Sequence, residues 1–329
     1  MNVSLTTEML PAGEAATLAA ARALAAGGLV AFPTETVYGL GVDATHAKAI
    51  ALLYQAKGRP AFNPLISHVS DLAAAKRIGR FDDTALKLAQ AFWPGPLTLV
   101  LPKTGDCAVA DLATAGLDTI AIRIPSHPVA RAILKSFGKP VVAPSANLSG
   151  HVSPTTAAHV RSDLDGRIDL IVDGGPVEVG VESTIVGCFD NPMLLRPGGL
   201  PREDIERVLG HGLRQAPPDA ESDSGQPLAP GMLASHYAPR TRVRLNATSI
   251  VAGEALLAFG PPVADADKAA AVMNLSAQGD LTEAAANLFG YLRALDARAA
   301  RTIAVMPIPN QGLGEAINDR LRRAAVGRE

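Results

Sequence analysis

A chain of 329 residues, 48% hydrophobic and 19% charged, is long enough for two domains with buried cores. Its 30 Lys and Arg against 32 Asp and Glu leave a formal net charge of −2, which argues against non-specific nucleic-acid binding but leaves room for a local basic pocket. The two cysteines, Cys107 and Cys188, have neither metal-ligand spacing nor a disulfide framework, so a reducing cytosol is expected. No apolar run approaches the ~18 residues of a membrane span, and Glu14 and Arg22 interrupt the alanine-rich stretch where a signal peptide would stay apolar.

The spacing predicts a helix over 14–26, closed by Gly27-Gly28, then a strand over 29–32. FPTETVYGLG (32–41) follows and reads as a loop, too polar for core and too apolar for a plain linker. A helix is predicted over 47–57, a strand over 65–69, and a helix over 82–93 with an aspartate as N-cap. Short strands are expected at 97–101, 119–124, 140–143, 168–172 and 183–187, with helices at 127–137 and 155–164. This alternation predicts an α/β fold, a mixed sheet with helices packed on it.

QAPPDAESDSGQPLAP (215–230) breaks the pattern; rich in Pro, Ser and acid without apolar period, it reads as an exposed linker. A smaller α/β pattern lies beyond it, with strands at 241–245, 270–275 and 302–306, a long helix over 281–300 and a terminal helix near 315–326. On the long helix Leu281, Ala285, Leu288, Leu292 and Leu295 share one face and are expected in the core. The expected division is a larger α/β domain over 1–212, a linker over 213–240, and a small C-terminal α/β domain over 241–329.

Gly39-Leu-Gly41-Val-Asp-Ala44 satisfies a dinucleotide fingerprint in letters only. The TETVY insert separates strand from glycines, and no acid stands about twenty residues further on. Neither a G-x-x-x-x-G-K-[ST] loop nor a G-x-S-x-G elbow occurs, and no His/Cys set has zinc spacing. Small polar clusters at strand ends are what remain. AKGRPAFNPL sets Lys57, Arg59 and Asn63 in a turn shaped by Gly58, Pro60 and Pro64, where the cations either converge on an anion or cap a helix end in water. APSANLSGHVSPT (143–155) supplies Ser145, Asn147 and Ser153, as a phosphate cradle or as a set of caps and turns. Arg123 sits inside the apolar strand TIAIRI and must either face solvent or pair with a carboxylate. His68 occupies a comparable strand position; ESTIV adds Ser183 and MLLRPG adds Arg196.

In this order FPTETVYGLG, KGRPAFNPL, WPGPLT (93–98), IRIPSHP, APSANLSG with SPT, ESTIV and LLRPG closely resemble the YrdC-like threonylcarbamoyl-AMP synthases. APGMLASHYAP (229–239) and the α/β region after it look like the long form, with an appended C-terminal domain. The resemblance implies an open twisted mixed sheet around a concave positive cavity, plus a smaller Rossmann-like α/β domain. It implies an enzyme that joins L-threonine, bicarbonate and ATP into threonylcarbamoyl-AMP with release of pyrophosphate, the first step of tRNA threonylcarbamoyladenosine modification. Magnesium is expected with the ATP, with no protein side chain as metal ligand.

By the same resemblance Thr36, His68, Arg123, Ala143 and Ser183 hold threonine. Lys57, Arg59, Asn63, Thr119, Ser145, Asn147, Ser153, Arg196 and Tyr237 hold ATP, with Lys57 and Arg59 as the catalytic cations; 1–212 is then the catalytic domain, and Tyr237 on the ATP implies that the linker over 213–240 folds back as a lid. A cytoplasmic location and a downstream threonylcarbamoyl transferase are implied, and a weak contact with tRNA is left open. Two other readings compete. A non-catalytic RNA-binding module is opposed by the lack of a basic run and by 4% aromatics; a carbamoyl-transfer maturation factor would need cysteine-rich zinc fingers that two cysteines cannot build.

Overall fold

The computed structural model describes residues 5–60, 63–215, 237–298 and 300–326. Elements run in the order β1 (Glu8–Pro11), α1 (Glu14–Ala25), β2 (Val30–Pro33), β3 (Tyr38–Asp43), α2 (Ala47–Lys57), β4 (Ile66–His68), α3 (Leu72–Lys76), α4 (Asp83–Phe92) and β5 (Leu97–Pro102). Then come α5 (Asp111–Thr114), β6 (Thr119–Arg123), α6 (Pro128–Phe137), β7 (Val141–Val142), α7 (Ala157–Leu164), β8 (Leu170–Asp173), β9 (Thr184–Gly187), β10 (Met193–Arg196), α8 (Arg202–Leu209) and β11 (Arg214–Gln215). The C-terminal part adds β12 (Arg242–Arg244), β13 (Glu254–Ala258), β14 (Val272–Asn274), α9 (Leu281–Asp296), β15 (Thr302–Val305) and α10 (Leu313–Ala325).

Local chemistry sets several of these boundaries. The Asp82 carboxylate accepts from the Ala85 N–H at 2.7 Å and starts α4 where the sequence predicted a cap. Thr156 does the same for α7 through the His159 N–H, so that helix begins two residues later than expected. The long helix α9 ends at Asp296, short of the expected residue 300, and the Asp296 carboxylate accepts from the Arg240 and Thr241 N–H groups at 3.0 and 2.8 Å.

The expected loop over 32–41 is instead an antiparallel hairpin, with Pro33 opposite Tyr38 and Phe32 opposite Gly39. Only residues 34–37 turn. Thr34 Oγ1 donates to the Val37 carbonyl at 2.7 Å and accepts from the Val37 N–H at 3.3 Å, so the turn satisfies itself. The strands β1 and β13 and the helix α8 had no counterpart in the sequence reading. EALLA reads as helical by composition, but all five residues are buried inside a parallel sheet, and that environment outweighs propensity.

Among the described residues eleven strands form one mixed sheet, ordered β1-β8-β2-β3-β7-β4-β6-β5-β9-β10-β11, and four parallel strands form a second, ordered β12-β15-β13-β14. The large sheet is mixed at its centre: β4 runs parallel to β6 but antiparallel to β7. That brings the ends of β7 and β6, the β2–β3 turn and the starts of β9 and α7 to one place.

The second unit docks on this region. Val37, Val152 and Val181 share one apolar cluster with Tyr237, Leu288, Phe289 and Ile317. As predicted, Ala285, Leu288, Leu292 and Leu295 of α9 are buried, and Leu281 packs against them. Gly180 has φ +78, and a Cβ there would stand 2.3 Å from the Ala285 carbonyl oxygen, so a glycine is required where α9 crosses. Arg293 of α9 reaches Asp163 at 3.1 Å, and Arg202 pairs with Glu315 of α10, its Nε at 3.1 Å.

Candidate active site

The cavity at this junction is lined by Thr36, Val37, Arg59, Leu65, Ile66, His68, Arg123, Ala143, Pro144, Ser145, Glu182, Ser183, Arg196 and Tyr237. Nine of the fourteen residues expected at the site therefore line one cavity: Thr36, Arg59, His68, Arg123, Ala143, Ser145, Ser183, Arg196 and Tyr237. Lys57, Asn63, Asn147 and Ser153 stand behind it, buried; Thr119, at the far end of β6 from Arg123, is not part of the lining either.

One side of the cavity is organised around Arg123. Its Nη2 donates to Glu35 Oε1 at 2.6 Å and its Nη1 to Thr36 Oγ1 at 2.9 Å, while Ser126 N–H holds the other Glu35 oxygen at 3.0 Å. Burial alone would raise the Glu35 pKa, but the charge and hydrogen bond of Arg123 outweigh it and keep the carboxyl below its ordinary value. Of the two options for a strand arginine, the structure takes the carboxylate pair. His68 stands beside Arg123 in the β4–β6 register and shares a hydrogen bond with the Ile66 carbonyl at 3.1 Å. A carbonyl only accepts, so Nδ1 carries the proton. Burial, with the Arg123 charge, lowers the His68 pKa to about 3, and the imidazole is neutral at working pH. Ser183 Oγ bonds Thr98 Oγ1 at 2.7 Å, and Arg196 Nη2 donates to the Ser183 carbonyl at 2.8 Å.

The other side is cationic. Burial lowers the pKa of Arg59 to about 10 and lowers that of Arg196. Lys57 is 2% exposed, and its ammonium donates to the carbonyls of Ser145, at 2.5 Å, and Asn147. Burial and then the Arg59 charge push its pKa well below the ordinary value. Lys57 thus shapes the S-x-N loop from behind. Arg59 Nε, Asn63 Oδ1 and Asn147 Oδ1 are buried with no hydrogen-bond partner among the described residues. Polar atoms left so are costly unless a ligand satisfies them.

Tyr237 closes the cavity from the start of the C-terminal part. Its φ is +62, its ring stacks on Phe289 at 5.6 Å, and the Arg320 guanidinium lies 5.1 Å over it. The lid expected over 213–240 falls mostly on residues 216–236, outside the described residues. Glu182 is a wall residue inside ESTIV to which the resemblance gives no role. Ser153 Oγ donates to its Oε1 at 2.5 Å and Arg320 Nε to its Oε2 at 2.8 Å. Glu35 and Glu182 both stood inside quoted motifs; Arg320 had no signal, because it lies in a helix without a recognisable motif. Among the described residues no three His, Cys, Asp or Glu are gathered as a metal site. No helix among them is long and apolar enough to cross a membrane.

A concave, arginine-lined cavity in the middle of an open mixed sheet, roofed by a small parallel-sheet unit, defines an α/β enzyme of the YrdC-like class. Residues 22–198 match the Sua5–YciO–YrdC family model, described as telomere recombination. Residues 200–326 match the model described as threonylcarbamoyl-AMP synthase, C-terminal domain. The threonylcarbamoyl-AMP synthase of Bacillus subtilis (strain 168) is 43% identical over 91% of this chain and 90% of its own. That of Pyrococcus abyssi is 42% identical over 91% of both. The crystal structure of P. abyssi Sua5 complexed with L-threonine superposes with a TM-score of 0.87 at 38% identity, covering 98% of this chain and 97% of that one. The chain belongs to the Sua5–YciO–YrdC family, in its long form with the C-terminal domain.

Proposed function

We infer that the chain is a threonylcarbamoyl-AMP synthase, which joins L-threonine, bicarbonate and ATP, releases pyrophosphate and so begins tRNA threonylcarbamoyladenosine formation. The observation that carries this is the arrangement of one clamped arginine, Arg123, beside Thr36, His68 and Ser183, with Arg59 and Arg196 on the same cavity. It supports an amino acid on one side and a phosphate chain on the other.

In this reading Arg123 takes the threonine carboxylate, and Glu35 fixes the direction of its guanidinium. Neutral His68 adds no charge near the amine that captures carbon dioxide. Thr36 and Ser183 are partners for the substrate hydroxyl, with the Ala143 backbone beside them. The carbamate oxygen attacks the α-phosphorus and pyrophosphate leaves, so charge builds on phosphate oxygens and no enzyme nucleophile is needed. Arg59 and Arg196 stabilise that charge, and Lys57 holds the Ser145–Asn147 carbonyls so that the loop presents Ser145. Asn63, Thr119, Asn147 and Ser153 are assigned to ATP by resemblance.

Magnesium fits the oxygen-rich, carboxylate-poor cradle as a hydrated ion arriving with the triphosphate, and the unpartnered Asn147 Oδ1 is a suitable acceptor for its water. Bound there, it would neutralise phosphate charge. The division into 1–212, 213–240 and 241–329, a cytoplasmic location, a downstream transferase that takes the product and a weak contact with tRNA complete the reading. Pyrophosphate release from ATP and bicarbonate, measured with and without threonine, tests it. Release that depends on threonine is expected; equal rates without it would overturn the assignment.

A further inference from the structure

Arg320 is 0% exposed, although it belongs to the C-terminal helix α10 and Glu182 to the cavity wall of the other unit. Its Nε donates to Glu182 Oε2 at 2.8 Å, its Nη1 to Asp319 Oδ2 at 2.6 Å, and its flat face covers Tyr237. Arg323 in turn reaches Asp319 at 3.2 Å. Two cavity residues, Glu182 and Tyr237, are therefore held by one side chain from outside the large sheet.

Glu182 poses an electrostatic problem for the proposed reaction. A carboxylate on the wall of a cavity that takes a triphosphate repels its ligand, and burial strengthens the repulsion. We propose that Arg320 is a positioning residue of the active site, which cancels the Glu182 charge toward the nucleotide and aims both Glu182 and Tyr237, so that the C-terminal domain sets ATP affinity. This rests on the proposed function for the identity of the anion.

The groups facing Glu182 are Arg320 and Asp319 from α10, Arg196 from β10, Ser153 ahead of α7, and Tyr237. With Arg320 present, its charge and that of Arg196 outweigh the burial that would raise the Glu182 pKa, and the carboxyl stays ionised. Without Arg320 the largest charge opposing burial is gone, and Glu182 becomes easier to protonate as pH falls. Its repulsion of ATP then becomes pH-dependent.

The test uses the full-length protein with Arg320→Met, Arg320→Lys, Glu182→Gln and the Glu182→Gln/Arg320→Met pair. KM for ATP and kcat are read from pyrophosphate release between pH 6 and 9, and ATP Kd from calorimetry without threonine. R320M is expected to raise KM and Kd for ATP about tenfold or more at pH 8. The ratio to wild type should shrink toward pH 6, and E182Q in the same chain should restore most of the loss. R320K, which keeps the charge, should stay within about threefold and serves if R320M does not fold. An unchanged Kd in R320M, or a loss equal at every pH that E182Q does not relieve, overturns the proposal. If the Kd pattern holds while wild type releases pyrophosphate without threonine, the functional reading fails and the positioning role stands.

Discussion

Arg123 Nη2 lies 2.6 Å from Glu35 Oε1, with the two side chains only 4% and 6% exposed. A buried pair of this kind adds little net stability, but losing one partner strands the other charge. Glu35→Ala is therefore expected to cost about 3–5 kcal/mol in urea unfolding. Where the variant folds, its KM for threonine should rise more than its KM for ATP. A variant with wild-type stability and threonine KM would refute the clamp.

Lys57 donates to two loop carbonyls, Ser145 and Asn147, from a buried position. Lys57→Met leaves both acceptors without their donor, a loss of about 1–3 kcal/mol. The loop that carries Ser145 and Asn147 then shifts, and kcat/KM for ATP should drop by about 100-fold, as for a comparable misplacement of reacting groups. Lys57→Arg should not rescue, because its planar fork is bulkier than an ammonium. Full activity in either variant would remove Lys57 from the machinery.

The contact between the two units should weaken in acid. Burial would raise the Asp163 pKa, but hydrogen bonds from His151 and Arg293 and their charges draw it down to about 2. Burial and then the Arg293 charge lower the His159 pKa to about 4. Both folded values lie below the ordinary 3.8 and 6.5. The unfolded chain therefore binds more protons in each interval, and stability rises with pH there. The His159 contribution is complete above pH 6.5 and is lost as pH falls through about 4; that of Asp163 is complete above 3.8 and is lost through about 2. Melting temperatures at pH 8, 5 and 3 should fall in that order, and His159→Gln should flatten the step between 8 and 5.

Gly180→Ala adds a methyl 2.3 Å from the Ala285 carbonyl oxygen at a residue with φ +78. Strain and clash together should cost about 2 kcal/mol or more. Limited proteolysis should cut the variant between the two sheets faster than wild type. Equal cleavage rates would show that α9 yields without cost.

Much of the catalytic half was legible in the sequence because its polar clusters follow short strands in a fixed order. Arg123 inside TIAIRI left two options, solvent or a carboxylate partner, and the structure takes the second. The partner, Glu35, is 88 residues away, a pairing that only the β2–β3 turn and the end of β6 bring together. Glu182 and Arg320, 138 residues apart, are beyond any local pattern for the same reason. The hairpin over 32–41 is hidden in the sequence because a self-bonded Thr34 turn looks like open loop by composition. β13 carries no strand signal because Ala and Leu favour helices until a sheet buries both of their faces.

Val37, Val152 and Val181 belong to a cluster completed by Phe289 and Ile317. During synthesis the large sheet leaves the ribosome first, with those three valines bare. At ordinary elongation rates the residues that cover them arrive on the order of ten seconds later. For that interval the nascent enzyme carries a sticky apolar face beside an unfinished nucleotide site, so a chain halted before α9 is expected to be held by chaperones and not to work as a smaller enzyme.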